Sequence, residues 1–332
     1  MNKNKDNKAF KNKKVLVLGG MGFIGSNLAI RLIDLGADVT IVDSMLPQYG
    51  GNLANIDPIK NKCRINFSDI RDQYSLDYLV RDVDIIYSVA GQTSHIESMI
   101  DPMTDLEINC KSQLSILESC RKNNPGVKIL YASTRQLYGR PQYLPVDEKH
   151  PTVPVDVNGI NKLSAEKYYS LYSEIYGIKY VSLRLTNTYG PRQHLRGGTQ
   201  GFAGIFIRKA IDHETVYIFG NGKQLRDFNY IDDVVDAFIL STENPYAYGK
   251  VYNLGSNEQY SLIDFVKILA KYCSFKHKLV PFPKEHKLID IGDYYGDFSL
   301  FHKETGWQPK ISLEEGLKKT VEYFTLRKKF YW

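Results

Sequence analysis

Short aliphatic, β-branched runs alternate with stretches of helical spacing through the first half of the chain. VLVL (15–18), VTIV (39–42), RINF (64–67), DIIYSV (84–89) and VKILYAS (127–133) are apolar runs that read as strands. Between the first two, SNLAIRLIDLG (26–36) sets apolar residues at helical spacing and ends on Gly36, a natural helix stop. Strand–helix alternation of this kind predicts an α/β fold built on a doubly wound parallel sheet, with strands buried on both faces. Ligands of such sheets bind beyond the carboxyl ends of the strands, where the strand order reverses.

After about residue 185 the texture changes. TNTYGPRQHLRGGTQG (186–201) is rich in Gly, Thr and Arg and suits a loop that wraps a ligand. VYIF (216–219), a helix from Asp232, YNLGS (252–256) and a helix from Ser261 follow. ISLEEGLKKTVEYF (311–324) carries a helix signal in which Ser312 caps and Glu315 completes a capping box. The expected division is a cofactor-binding domain over 14–185, to which 216–243 returns. A smaller substrate-binding lobe then takes 186–215 and 244–332.

Composition narrows the class. Apolar residues make up 43% and charged residues 24%, as in a soluble globular protein, and the net charge is +6. The opening MNKNKDNKAFKNKK holds six lysines in fourteen residues, so residues 1–13 read as a solvated, disordered basic tail rather than a nucleic-acid arm. No run approaches the ~18–20 apolar residues of a membrane helix, and the start has no apolar core of a secretory signal. Cys63, Cys110, Cys120 and Cys273 lack paired spacing, which fits reduced thiols in a cytoplasm and not a metal site.

The strand-to-helix passage VLVLGGMGFIGSNL carries Gly19, Gly22 and Gly25, with Phe23 and Ile24 between. Glycines permit a tight turn and close approach to a pyrophosphate, which the helix N-terminus then meets with N–H donors and its dipole. Asp43 closes the second strand, where a carboxylate accepts from a ribose 2′-hydroxyl and repels a 2′-phosphate. The Rossmann-type site so built selects NAD over NADP. Asp69 and Ile70, past the third strand, would flank the adenine. Ala90, in Val89-Ala90-Gly91 after the fourth, would let the chain pass close to the cofactor.

GGMGFIG (19–25), STRQLYG (133–139), NGINK (158–162), LRLTNTYGPRQ (183–193), FGNGKQLRDFNYIDDVVDA (219–237) and ETGWQPKISLEEGL (304–317) follow one another in order. This set resembles the extended short-chain dehydrogenase/reductases of the nucleotide-sugar epimerase/dehydratase family, from Lys14 to about Tyr323. The resemblance implies a bound NAD and oxidation of a sugar hydroxyl, commonly at C4, by hydride transfer. In similar enzymes a tyrosine takes the hydroxyl proton, a lysine four residues later contacts the nicotinamide ribose, and a Ser or Thr bonds the sugar oxygen. Thr134 matches the hydroxyl and Lys162 the lysine, for catalysis and for cofactor binding. The tyrosine position is Asn158. A carboxamide orients a hydroxyl but has no proton to exchange near neutrality, whereas general-base help contributes ~10²–10⁴-fold.

Similar 4,6-dehydratases carry an Asp-Glu pair directly after the threonine; Arg135 and Gln136 stand there, which disfavours 4,6-dehydration. Arg135 would contact a carboxylate or polyhydroxylated group, or turn into a salt bridge. His95 and Glu97, in GQTSHIESM (91–99), follow the fourth strand, and His95 is a candidate replacement base. Tyr138, Tyr143 and a water held by Thr134 and Asn158 are others. The resemblance assigns Asn187 and Arg226 to the diphosphate; Arg192, on the wrapping loop with Gln193 and Arg196, would contact either phosphate or a partner subunit. The arginine usually expected in IDIGDYYGDFS (289–299) is missing.

The leading expectation is an NAD(H)-dependent oxidoreductase acting at C4 of a nucleotide-diphosphate sugar, as dehydrogenase or epimerase. The substrate would be a GDP-heptose or a UDP-sugar for bacterial surface polysaccharide. The alternatives are a non-catalytic NAD- and nucleotide-sugar-binding regulator and a nucleotide-uronate decarboxylase. By resemblance the chain would pair as a homodimer or higher homo-oligomer through helices at about 98–122 and 160–176, with neither nucleic acid nor membrane as partner.

Overall fold

The computed structural model describes residues 9–196 and 201–332. Its centre is a seven-stranded sheet. Six strands are β1 (Lys14–Leu18), β2 (Asp38–Val42), β3 (Arg64–Asn66), β4 (Ile85–Ser88), β5 (Lys128–Thr134) and β6 (Lys179–Leu185). The order runs β3-β2-β1-β4-β5-β6 and ends on Lys250–Asn253, with every pairing parallel. β1 pairs with β2 on one side and β4 on the other, so strand order reverses at the β1–β4 seam. The cleft for a ligand therefore opens beyond Leu18 and Ser88.

The apolar runs lack period-two alternation because both sheet faces are covered. Val15, Val17, Val39, Ile41 and Tyr87 face Leu28 and Leu32 of the helix Phe23–Asp34 and Phe238 of the helix Ile231–Glu243. Leu16, Leu18 and Ile86 face the other way, onto Leu76, Ile116, Leu117 and Tyr169. The helix expected from Ser26 begins at Phe23, since Gly22 serves as its N-cap and Ser26 Oγ donates to Gly22 O.

Three expectations need correction. Residues 9–13 are not tail: Phe10 is fully buried against the Val15–Leu32 core, and Asn12 N donates to Gly36 O at 2.9 Å. One phenyl ring buries enough apolar area to dock a lysine-rich segment; residues 1–8 lie outside the described residues. Val216–Phe219 does not return to the central sheet but pairs with His277–Val280, while Lys250–Asn253, expected in the smaller lobe, extends the sheet beside β6. At Ser312 only half a capping box forms: its side chain accepts from Glu315 N, but the Glu315 carboxylate turns to Lys319 at 2.6 Å. The full box is at Ser261, with Asp264.

The stretch expected as one helix over about 98–122 is broken. His95–Ile100 and Pro102–Leu106 are followed by a π-turn at Glu107–Lys111 and then the helix Ser112–Asn123. Among the described residues no helix is long and apolar enough to cross a membrane. All four cysteines are free.

Phe10→Ala is expected to lower stability by ~3–5 kcal/mol, as for a core phenylalanine. Urea denaturation measures this, and a midpoint unchanged from wild type would return residues 9–13 to the tail.

Candidate active site

At the seam between β1 and β4 the backbone geometry demands glycine at two points. Gly19 has φ +81°, and a Cβ there would lie 2.7 Å from Ala90 Cα. A Cβ on Gly25 would lie 2.1 Å from Gly19 O. The helix Phe23–Asp34 starts with no side-chain cap, which leaves its first-turn N–H groups pointing at the cleft without a side-chain partner. Such a terminus suits a pyrophosphate. Gly19, Gly22, Phe23, Ile24, Gly25, Asp43, Asp69, Ile70 and Ala90 all line this one cleft.

Asp43 accepts from Met21 N and Met45 N, each at 2.9 Å. Burial pushes its pKa up, and these amides pull against that. Burial also works against ionisation of Asp69, but Arg71, at 2.8 Å, holds this carboxyl below the usual range. The set fits an NAD dinucleotide: the uncapped N–H groups would meet its pyrophosphate, Asp43 its ribose, and Asp69 and Ile70 its base.

A second cleft of about 410 Å³ shares Phe23, Ile24, Val89, Gly91 and Thr93 with the first. His95, Thr134, Arg135, Asn158, Lys162, Asn187 and Arg226 line it. Lys162 stands at the join: a Cβ on Gly91, which lines both clefts, would lie 3.1 Å from its Nζ. Its Nζ donates to Ala132 O at 3.1 Å and lies 5.0 Å from the Tyr131 ring centroid, so donors remain for a ligand. Burial lowers its pKa to about 8, with Asp105 and Glu166 opposing.

Asn158 is held by a cluster the sequence did not disclose. Its Nδ2 donates to Gln92 O at 2.9 Å and to Asp105 Oδ2 at 3.1 Å. Asp105 is fully buried and also accepts from Asn109 Nδ2 at 3.0 Å and Asn161 Nδ2 at 2.7 Å. Acceptors around Nδ2 fix the amide's orientation and leave Oδ1, with no protein partner among the described residues, as the atom offered to the cleft. Asn158 thus presents a hydrogen-bond acceptor to the cleft. Thr134 caps the short turn Arg135–Tyr138 by accepting from Gln136 N, and its own O–H stays free to donate.

The cationic residues divide. Arg135 Nη2 donates to Asn187 Oδ1 at 3.1 Å, its guanidinium lies over the Tyr294 ring, and Nη1 is buried without a partner among the described residues. Asn187 Nδ2 donates to Asp227 O. Arg226 is buried, bonded to Leu225 O and Gly292 O, and 3.5 Å from Asp290 Oδ1. Burial and the neighbouring Arg135 lower its pKa to about 10, which keeps it charged at neutral pH. Arg192 lies outside the cleft: with φ +71° the chain turns it back to Asn55 O and Asn27 Oδ1. Residues 197–200 of the expected wrapping loop lie outside the described residues.

The other candidate bases are placed as follows. Tyr138 is fully buried, donating to Asn253 Oδ1 and accepting from Arg184; burial pushes its phenol up to about 12. Tyr143 is exposed and bonded to Asp147. Glu97 lines a separate surface pocket with Asp101 and Thr104. His95 Nδ1 lies 3.0 Å from Asp156 Oδ2, approached obliquely and with no other partner. Gln136 Nε2 donates to that same oxygen at 2.7 Å.

Lys162→Met removes a cation whose desolvation is only partly compensated. Its melting temperature is expected to hold or rise, while NAD affinity falls by the ~1.5–3 kcal/mol of a charged hydrogen bond. Wild-type affinity should also weaken as pH rises through about 8, where Lys162 loses its proton, and the variant should lack that step. Calorimetric titration and thermal melts measure both; a destabilised variant with wild-type affinity would contradict the assignment.

Comparison with known proteins places this geometry in a lineage. Residues 16–320 match the family described as GDP-mannose 4,6 dehydratase. A protein of Methanocaldococcus jannaschii, provisionally named UDP-glucose 4-epimerase, is 35% identical over 93% of this chain and 97% of its own length. The structure of the Thermotoga maritima UDP-glucose 4-epimerase with UDP-glucose superposes with a TM-score of 0.86 at 32% identity, covering 95% of this chain and 99% of that one. The Bacillus cereus UDP-glucuronic acid 4-epimerase, solved with UDP-glucuronic acid and NAD, gives 0.83 at 27%, over 95% and 99%. The chain therefore belongs to the GDP-mannose 4,6-dehydratase family, the NAD-dependent nucleotide-sugar epimerases and dehydratases of the extended short-chain dehydrogenase/reductase class.

Proposed function

We propose that this chain is an NAD(H)-dependent oxidoreductase that oxidises the C4 hydroxyl of a nucleotide-diphosphate sugar. The keto sugar either leaves, as in a 4-dehydrogenase, or takes hydride back on its other face, as in a 4-epimerase. The observation that carries this reading is the join of the two clefts. Lys162 stands there with donors to spare, beside the Asn158 Oδ1 acceptor and the Thr134 hydroxyl. A bound nicotinamide would supply the hydride acceptor. The protein's own part is to hold the ribose through Lys162, to orient the sugar hydroxyl between Asn158 and Thr134, and to meet the diphosphate with Arg226.

UDP-linked sugars are the favoured substrates, in keeping with the UDP-sugar ligands of the two solved relatives. Neither position after Thr134 offers a carboxyl for eliminating water. Arg135 bonds Asn187, and Gln136 bonds Asp156. The buried, unpartnered Arg135 Nη1 favours a second reading, a nucleotide-linked uronic acid whose carboxylate meets that nitrogen; its decarboxylation would begin with the same C4 oxidation. Exposed Met99, Ile100, Met103, Ile160 and Ile175 on neighbouring helices support pairing of two copies.

The test is absorbance of the NAD-loaded protein while UDP-, GDP-, TDP- and CDP-sugars are added one at a time. Growth of the reduced-nicotinamide band with a UDP-sugar is expected, and a flat record with every sugar recovered unchanged at C4, despite proven binding, would leave only the non-catalytic reading. Thr134→Val is expected to slow the step by the ~10-fold or more that a lost hydrogen bond to a charging oxygen implies. Rapid-mixing absorbance measures it.

A further inference from the structure

No tyrosine lines the sugar cleft among the described residues, so the hydroxyl proton needs another acceptor. The ionisable side chains that do line it are His95, Lys162, His286, Asp290, Arg135 and Arg226. Lys162 is a cation below about pH 8, the arginines are charged, and Asp290 is paired with Arg226. His286 stands on the short helix Lys284–Leu288, its ring edge-on to Phe219 at 5.4 Å. His95 stands on the Asn158 wall: Ser98 Oγ donates to His95 O and accepts from Asn158 N.

Behind His95 is a carboxylate with no exposure of its own. Asp156 accepts from Gly159 N at 2.7 Å and from Gln136 Nε2 at 2.7 Å, and His95 Nδ1 is 3.0 Å from the same Oδ2 that Gln136 meets. A buried carboxylate is stable only when the groups around it donate. At 3.0 Å from that oxygen, though off the line of a well-formed hydrogen bond, Nδ1 is the nitrogen placed to carry the ring proton, which leaves Nε2, partnerless among the described residues, with its lone pair. This arrangement holds an imidazole in one tautomer and stabilises the imidazolium once it forms.

We infer that Asp156 and His95 replace the missing phenol: Asp156 is the positioning residue and His95 Nε2 takes the proton of the sugar hydroxyl. The inference deepens the oxidoreductase reading and rests on it. In the step, the O–H and C4–H bonds of the sugar break and the C4 carbonyl forms. The proton ends on Nε2, and the hydride pair passes to the oxidised nicotinamide dinucleotide that the first cleft fits. Hydride return reverses both transfers. The hydroxyl has a single proton, so it turns from Asn158 Oδ1 to Nε2 for the transfer, and Asn158 keeps its own charge unchanged.

The test uses full-length protein. Asp156 also caps the helix Val157–Tyr176 through Gly159 N, so Asp156→Asn is the informative change, since asparagine caps as well as aspartate. Nitrogen-15 spectra of His95 should give the Nδ1–H tautomer in the wild type and Nε2–H in Asp156→Asn, with thermal stability and UDP-sugar binding kept. The rate of sugar-driven dinucleotide reduction should fall ~10²–10⁴-fold in Asp156→Asn and in His95→Gln. An Nε2–H tautomer in the wild type, or wild-type rates in both variants, overturns the pair while leaving the oxidoreductase reading standing. A wild type that no sugar reduces, and that epimerises none at C4, overturns both, whatever the tautomer.

Discussion

A charge buried at the back of the sugar cleft organises the site. Asp105 has no exposed surface, and it is tolerable there only because three amides, from Asn109, Asn158 and Asn161, point their N–H groups at it. Those amides belong to two elements, the broken segment Pro102–Lys111 and the helix Val157–Tyr176, so satisfying the carboxylate also locks the two together. The π-turn at Glu107–Lys111 carries Asn109, whose single amide nitrogen serves both Gln92 O and Asp105. An irregularity of this kind inside a helical stretch commonly marks a functional site. Asp105 also acts across the cleft wall on Lys162, where it opposes the burial that draws this lysine's pKa down.

The same cluster gives a physical reason for asparagine at position 158. A side chain there must donate to Gln92 and Asp105 and still show an acceptor to the cleft. A carboxamide has two N–H groups and a carbonyl to divide between those tasks; a phenol has one O–H and a ring to accommodate. With this position committed to hydrogen bonding, the His95 imidazole stands on the same wall, 3.0 Å from a second buried carboxylate. Two fully enclosed acids, Asp105 and Asp156, thus orient the two polar groups that face the sugar from this side.

The central sheet was legible because its strands are strong apolar runs and its glycines sit where a Cβ would strike Gly19 O or Ala90. The dinucleotide cleft followed, since its residues lie within short stretches of chain after successive strands. The rest depended on contacts between distant positions. Asp156 and His95 are 61 residues apart by number, and nothing in DVNGINK says that its first residue faces a histidine from GQTSHIESM. Phe10 was hidden by the lysines around it. Arg192 has the composition of a ligand contact, yet a left-handed backbone at that residue turns it into a brace between Asn27 and Asn55.

The proposed chemistry requires hydride to leave the sugar's C4 in a cleft that no tyrosine lines among the described residues. The most direct measurement is a single turnover with a UDP-sugar deuterated at C4, quenched early, with the dinucleotide recovered and weighed by mass spectrometry. Deuterium on the reduced nicotinamide is the predicted result. Deuterium retained wholly on the sugar, with the C4 configuration unchanged and the dinucleotide still oxidised, would contradict C4 oxidation and reduce the two clefts to binding sites.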